Sequence, residues 1–484
     1  MSATSLGARG LAGRACSLRR AGRSVGPVLM SLVVLLSLVV LGAAPAVAQD
    51  IGAFGAAFDA ALANDAEYRA SRFELEAREQ AAPIARAGLL PNVSASYANS
   101  QVRGERESLN TLGQDFNQRL DYRTPMWALQ LRTPLLDMQA FKRYESARSQ
   151  VDGARFVFVA RGYELLDRFA GAYVQRLLAE EVLSLAQAQV EALELQRDFA
   201  ERRFRGGEAT RTDIAEAAAG LAISRAQRIE ALDQRDVAQR TLARITGVAA
   251  PPLRGLPPAP TSVTLPAIEV VEWITLAGVQ NPGLQARRYL LESARYEAER
   301  NRAGHLPRVD LVASAMDSQN ESISTLNQRV RQYNVGVQVN LPLFAGGAVD
   351  AGVTQAQAEV SRLQAQVDGD LETLDVDIRR QHQLMTTGQT KAEALEQAVV
   401  ASAVALEGNQ RGLSSGVKTT MDVVEATRRL FVTRRDLAQA RYEALLARLR
   451  LQSLAGLPLA QVVLDIDKLM TAPLQSRPAM TVLR

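Results

Sequence analysis

Apolar side chains recur every three or four residues through two long stretches of this chain, as in Leu166, Phe169, Tyr173 and Leu177. That is the period of an amphipathic helix. Neither stretch, Leu135 to Ala250 or Leu343 to Leu457, contains a proline, and both are rich in Ala, Leu, Glu, Gln and Arg. Those are the strong helix formers. Each stretch is broken once by glycine, at Gly206-Gly207 and between Gly412 and Gly416, and Thr or Ser follows. Glycine ends one helix and the hydroxyl caps the next. The pattern predicts two helical hairpins with unequal arms, over 139–247 and 348–456. A longer arm of ~65 residues at 1.5 Å each would reach on the order of 100 Å.

Elsewhere the period falls to two. Val93, Ala95 and Tyr97 alternate with polar residues, as do Trp127, Leu129 and Leu131. Val309, Leu311, Ala313 and Ala315 do the same, and so do Tyr333, Val335, Val337, Val339 and Leu341. Four strands are predicted, at about 91–102, 122–134, 306–318 and 331–342, each with one apolar face. Long polar loops should join them in pairs. Pro134 and Pro342, with Gly346-Gly347, mark the expected strand–helix junctions, where fixed or unusual backbone angles suit a chain leaving a sheet.

The order then repeats. Gly207, Thr210, Asp213, Glu216, Ala217, Leu221 and Gly247 match Gly416, Thr419, Asp422, Glu425, Ala426, Leu430 and Gly456, all at an offset of 209. A constant offset over such a span signals duplication. The chain therefore divides into a first repeat (49–247), a proline-rich strap (248–268), a second repeat (269–456) and a loosely ordered tail (457–484). The fold class is mixed α and β, mostly α: a duplicated helix, strand pair and helical hairpin.

Residues 1–48 stand apart. Five arginines and no acid precede the apolar run Leu29 to Gly42, and "APAVAQD" follows. This is the make-up of a secretory signal peptide cleaved after Ala48. Without it, 51 basic residues face 52 acidic ones, a net charge of −1. The basic pI thus gives no reason to expect nucleic acid. The single cysteine, Cys16, lies in the discarded segment, and the two histidines, His305 and His382, are far apart in sequence. No disulfide, no imidazole metal site and no cofactor is expected. The sequence holds no Ser-His-Asp arrangement and no phosphate-binding glycine loop, so an enzyme is not expected.

Strands with one apolar and one polar face suit a barrel in a membrane, and a barrel in lipid must close. Four strands are fewer than the roughly eight of the smallest bacterial barrels, so several copies must combine. "LLPNVSASY", "GHLPRVDLVAS", "VNLPLFAGG" and "SSGVKTTMDVVEATRRLFVTRRDLAQARYEALLARLRL" resemble the TolC family of outer-membrane efflux proteins, over nearly the whole chain after the leader. The resemblance implies a homotrimer whose twelve strands form one outer-membrane barrel, continued through the periplasm by an α-helical barrel. It implies a passive exit duct working with a periplasmic adaptor (membrane fusion protein) and an inner-membrane ABC or RND transporter. The favoured cargo is protein, by type I secretion; small-molecule efflux is the alternative. A soluble periplasmic coiled-coil adaptor is a third reading, against which the duplicated strand pairs argue.

By the same resemblance the glycine breaks are periplasmic tips that close the channel and dock the adaptor. Gly207, Thr210, Asp213 and Glu216 belong to the first tip, and Leu413, Ser414, Ser415, Gly416, Lys418 and Thr419 to the second. Asp422 and Glu425 share a helix face and would line the entrance. Three copies would gather six carboxylates there, attracting cations and raising their own pKa values by mutual repulsion. An acid in a first helical turn is also favoured by the helix itself. Leu413 and Lys418 stand where well-known members keep a tyrosine and an arginine, which implies a different or weaker closing network. Tyr97, Tyr122, Trp127 and Tyr333 are candidates for an interfacial aromatic belt.

Overall fold

Helix α4 (Met138–Arg205) runs unbroken for 68 residues, and helix α8 (Ala348–Ser414) for 67. At 1.5 Å per residue each is ~100 Å long. The Asp137 carboxylate starts α4 by accepting from the Ala140 N–H at 2.9 Å. The computed structural model describes residues 52–109, 113, 115–257, 269–322, 325–470 and 472–473. The expected signal segment, residues 258–268 of the proline strap and residues 474–484 of the tail lie outside these residues.

Ahead of α4 come α1 (Ala53–Asn64), α2 (Ala66–Glu79), α3 (Ala81–Ala87), β1 (Asn92–Leu109) and β2 (Asp115–Leu136). α5 (Arg211–Thr246) completes the first hairpin, and a two-residue β3 (Arg254–Gly255) follows. The second round is α6 (Val270–Gln280), α7 (Pro282–Arg302), β4 (Arg308–Ser322), β5 (Thr325–Asn340), α8 and α9 (Thr420–Leu454). α10 (Leu459–Leu469) and β6 (Ala472–Pro473) come last.

Shorter helices pack along each long one, α5 and α7 on α4, α9 and α7 on α8. The tip half of α4 packs on α5, where Arg225 pairs with Glu194 at 2.7 Å. Its strand half packs on α7, where the Ser146 and Ser293 hydroxyls meet at 3.0 Å and Gly153 lies close under Tyr289. The short helices are stitched at their ends by asparagine. Asn64 donates to the Arg244 and Ile245 carbonyls where α5 stops, and Asn281 donates to the Leu454 carbonyl where α9 stops. Gly247 and Gly456, both at positive φ, leave each helix at these joints. A Cβ on Gly456 would lie 2.4 Å from the Gln280 carbonyl oxygen.

The main core gathers Phe54, Phe58, Phe169 and Tyr173 with Leu445, Leu449, Val462 and Ile466. Three of these rings, Phe54, Phe169 and Tyr173, meet tilted or edge-on with centroids 5.1–5.7 Å apart. A second core holds Trp273 with Leu291, Leu363 and Ile378. Of the tail expected to be loose, residues 457–470 and 472–473 are described, and they hold α10 and β6. Val462, Val463 and Ile466 bury one face of α10, and Asp467 caps α1 through the Gly52 and Phe54 N–H groups. β6 pairs with β3, so residues 254–255 of the proline strap are held by residues 472–473.

The sheet is antiparallel in the order β1-β2-β4-β5. β1 and β2 run on through 92–109 and 115–136, well past the predicted ends, into what the sequence suggested was a polar loop. Alternation disappears there because both faces are polar, yet the backbone ladder continues. Pro134 is paired with β4 only, past the end of the β1 pairing at Arg132, a place at the end of a ladder where proline is tolerated. A bulge between Pro134 and Leu136 then turns the strand into α4.

Candidate functional site: hairpin tips and an open-edged sheet

The two tips share the same turn and the same helix cap. Gly207 and Gly416 adopt positive φ of 81° and 79°. The next N–H turns back to the helix end, Glu208 to the Arg203 carbonyl and Val417 to the Gly412 carbonyl, each at 2.9 Å. Thr210 and Thr419 then open α5 and α9. The Thr210 N–H donates to Asp213 at 2.8 Å and the Thr419 N–H donates to Asp422 at 2.9 Å. Each threonine hydroxyl accepts in return from the aspartate N–H at 3.2 Å. This reciprocal box satisfies two otherwise unpaired donors at a helix start.

Asp213 and Asp422 are therefore the caps of their helices. Bonds from the Thr419 N–H and then its hydroxyl hold the Asp422 carboxyl below the usual carboxylate range. Asp213 is lowered by the same pair from Thr210, and by the Thr420 hydroxyl of the other tip. Glu425 is lowered by Arg428, which grips it at 2.9 and 2.6 Å. Within one chain the direction is down, opposite to the rise expected from carboxylates of neighbouring copies. Glu216, half-buried on α5, makes no hydrogen bond or ion pair with any described residue.

Leu413 is buried, whereas Ser414, Ser415, Gly416, Val417, Lys418 and Thr419 are exposed. The Lys418 stem lies over Gly412, where an added Cβ would meet its Cγ at 2.6 Å. The tips are joined to each other by Leu221 and Val424, which cluster with Val190 and Leu193. They are joined also by Arg203, which donates to the Leu413 carbonyl at 3.5 Å and to the Glu208 carbonyl at 3.2 Å. Sequence reasoning passed over Arg203. Its signal was a break in the duplication: the residue 209 positions on is Gly412.

At the other end of the hairpins the sheet lines up its apolar residues row by row. Val93, Leu131, Ala313 and Val335 stand in one row across all four strands, and Ala95, Leu129, Ala315 and Tyr333 in the next. Tyr97 and Trp127 follow, with ring centroids 4.6 Å apart. Below, Leu311 and Val309 pair with Val337 and Val339. From Tyr333 to Leu341 the band covers about 25 Å, the height of the lipid-facing belt of outer-membrane barrels. Tyr333, Val335, Val337 and Val339 are all more than half exposed. Tyr122, of the opposite parity to Trp127, falls on the polar face, so only Tyr97, Trp127 and Tyr333 border the band. No helix among the described residues is long and apolar enough to cross a membrane.

At the strand–helix junction Asp310 is almost fully occluded. It accepts from Arg132 at 2.6 Å and from Arg308 at 3.1 Å, and Arg308 reaches Asp137 at 3.2 Å. Pro342 and the Gly346-Gly347 pair, both glycines at positive φ, make the exposed passage from β5 to α8. His305 lies in the turn between α7 and β4, its Nε2 3.3 Å from Asp350.

A single-layer apolar sheet continued by ~100 Å helical hairpins, in duplicate, defines a protein of the outer-membrane channel class. The family model for outer membrane efflux proteins matches residues 57–248 and 273–457, and the chain belongs to that family. It is 35% identical over 432 residues to the proteases secretion protein PrtF of Dickeya chrysanthemi, covering 87% of this chain and 92% of PrtF. It is 33% identical over 402 residues to the alkaline protease secretion protein AprF of Pseudomonas aeruginosa, covering 82% of each. The Campylobacter jejuni CmeC outer membrane channel shares the fold at 15% identity, with a TM-score of 0.71 over 87% of this chain and 90% of CmeC. The chain is accordingly an outer-membrane channel protein reaching into the periplasm, and not an enzyme.

Proposed function

We propose that three copies close into one conduit that serves as the exit duct of a type I protein secretion system. The observation that carries this is the sheet. β1 and β5 each have one edge with no partner strand among the described residues, and the apolar face is bare. Such an edge cannot stand in lipid. Joining β5 of one copy to β1 of the next three times gives twelve strands and no edge. The hairpins beneath then supply twelve helical walls. The duct needs no chemistry of its own; an inner-membrane transporter supplies the energy, and an adaptor meets the tips.

Protein cargo is favoured by similarity to PrtF and AprF, whose names are those of protease secretion proteins. Asp422 and Glu425 would line the entrance, with Asp213 and Glu216 behind them. The tip loops Gly207–Thr210 and Leu413–Thr419 would close it and dock the adaptor. The test is complementation in a Gram-negative host lacking its own channel, co-expressing a type I transporter, adaptor and secreted protease. Protease activity in the medium supports the reading. Restored resistance to toxic small molecules without protease export would replace it with drug efflux.

A further inference from the structure

Just beyond the aromatic border, on the same face as the apolar band and away from the helices, the first rows of the sheet are rich in arginine. Arg331 stands in the row of Trp127 and Asp317, and Arg329 one row further out. Arg123 lies two rows out and Arg103 three, opposite Asp121. Rows on one face are about 6.6 Å apart. The four guanidinium groups therefore climb ~20 Å along the strands from the edge of the band. All four side chains are exposed. Asp317 pairs with Arg329 and Arg331, and Asp121 with Arg103. The Arg123 side chain makes no hydrogen bond or ion pair with any described residue. From the aromatic border to the Arg103 row, four positive charges thus face two negative ones on a surface continuous with the lipid-facing belt; further out the same face carries Arg119 against Glu105, Glu107 and Asp115.

A cleft of about 380 Å³ opens at this border. Trp127, Leu129, Ala315 and Tyr333 line it together with Asp317 and Arg331, which stand one row further out than Ala315 and Tyr333. An apolar slot under an arginine rim fits an amphiphile with acyl chains and an anionic head. Guanidinium groups bind phosphate in bidentate fashion and with more strength than neutral donors. The geometry points to a docking belt for the phosphorylated glycolipid of the outer leaflet, with an acyl chain in the Ala315 cleft and its phosphates on Arg123, Arg329 and Arg331. This rests on the barrel reading, since it requires the apolar face to meet lipid.

The test titrates purified, delipidated trimer with fluorescent lipid A carrying two phosphates, or none. The wild-type protein should bind the bisphosphorylated form at least tenfold more tightly. R123Q/R329Q/R331Q should lose about fivefold for each arginine removed and discriminate little between the two forms. R123K/R329K/R331K should keep most of the preference. Equal wild-type affinity for both lipids would overturn the belt. So would a glutamine variant that still discriminates, or a preference abolished by chelating divalent cations, which would mean metal bridging at the aspartates. If the glutamine variant does not assemble, the wild-type comparison decides alone. A chain that takes up no lipid in any form would overturn both the belt and the barrel reading.

Discussion

Replacing Asp310 by asparagine should loosen the joint between sheet and tunnel walls. Its side chain is 2% exposed and accepts from Arg132 and Arg308, which are 52% and 43% exposed. Removing one partner of a fully buried pair costs about 3–5 kcal/mol, because a charge is left stranded. Here the stranded charges are guanidinium groups that can turn to water, and the sheet is one layer thick. The loss should therefore approach that of a charged hydrogen bond, about 2 kcal/mol per chain. Arg308 would keep Asp137, which still caps α4. The assay is thermal dissociation of the purified trimer in detergent, with E359Q as control. Glu359 pairs only with Arg362 on an exposed helix face. D310N should dissociate several degrees lower, and E359Q should match wild type. Equal midpoints for D310N and wild type would refute the view that this carboxylate ties β2 and β4 to the start of α4.

Other outcomes follow from the tips and the tail. D422N/E425Q should raise single-channel conductance or weaken block by multivalent cations; unchanged values for both would remove these residues from the entrance. Both carboxyls are held below their ordinary values of 3.8 and 4.5, so each favours the folded tip at neutral pH, and that stability is lost as pH falls through the lowered pKa. Block by multivalent cations should persist to about pH 4. A midpoint above pH 5 would show that repulsion between copies outweighs the caps. T419A should fray the start of α9 by about 1 kcal/mol, seen as faster amide exchange at Met421 to Val423, and unchanged exchange would contradict the cap. R203A should free the two tips from each other, raising the open fraction in bilayer recordings; an unaltered open fraction would make the Leu413 contact incidental.

Helices and strands were legible wherever one face is apolar and the other wet. Leu166, Phe169, Tyr173 and Leu177 announced α4, and Tyr333 to Leu341 announced β5. The outer reaches of β1 and β2 were not, because Arg103, Asp121 and Arg123 put charge on the face that is apolar nearer the helices and leave no alternation to read. α10 was hidden by its length: a helix of eleven residues beside a proline carries a weak signal until Val462 and Ile466 find the core. At the tips, the offset of 209 located both capping boxes, while the partners that lower the acids came from the fold. Arg428 is one turn away from Glu425, but Thr420 reaches Asp213 across more than two hundred residues. Tyr122 shows the cost of reading residue type without parity.

Closure by three copies is tested most directly by the mass of the particle extracted from outer membranes in mild detergent, followed by recording in a planar bilayer. The account predicts a species of three chains that conducts ions through a single water-filled pore. A stable, water-soluble single chain that never conducts would contradict it.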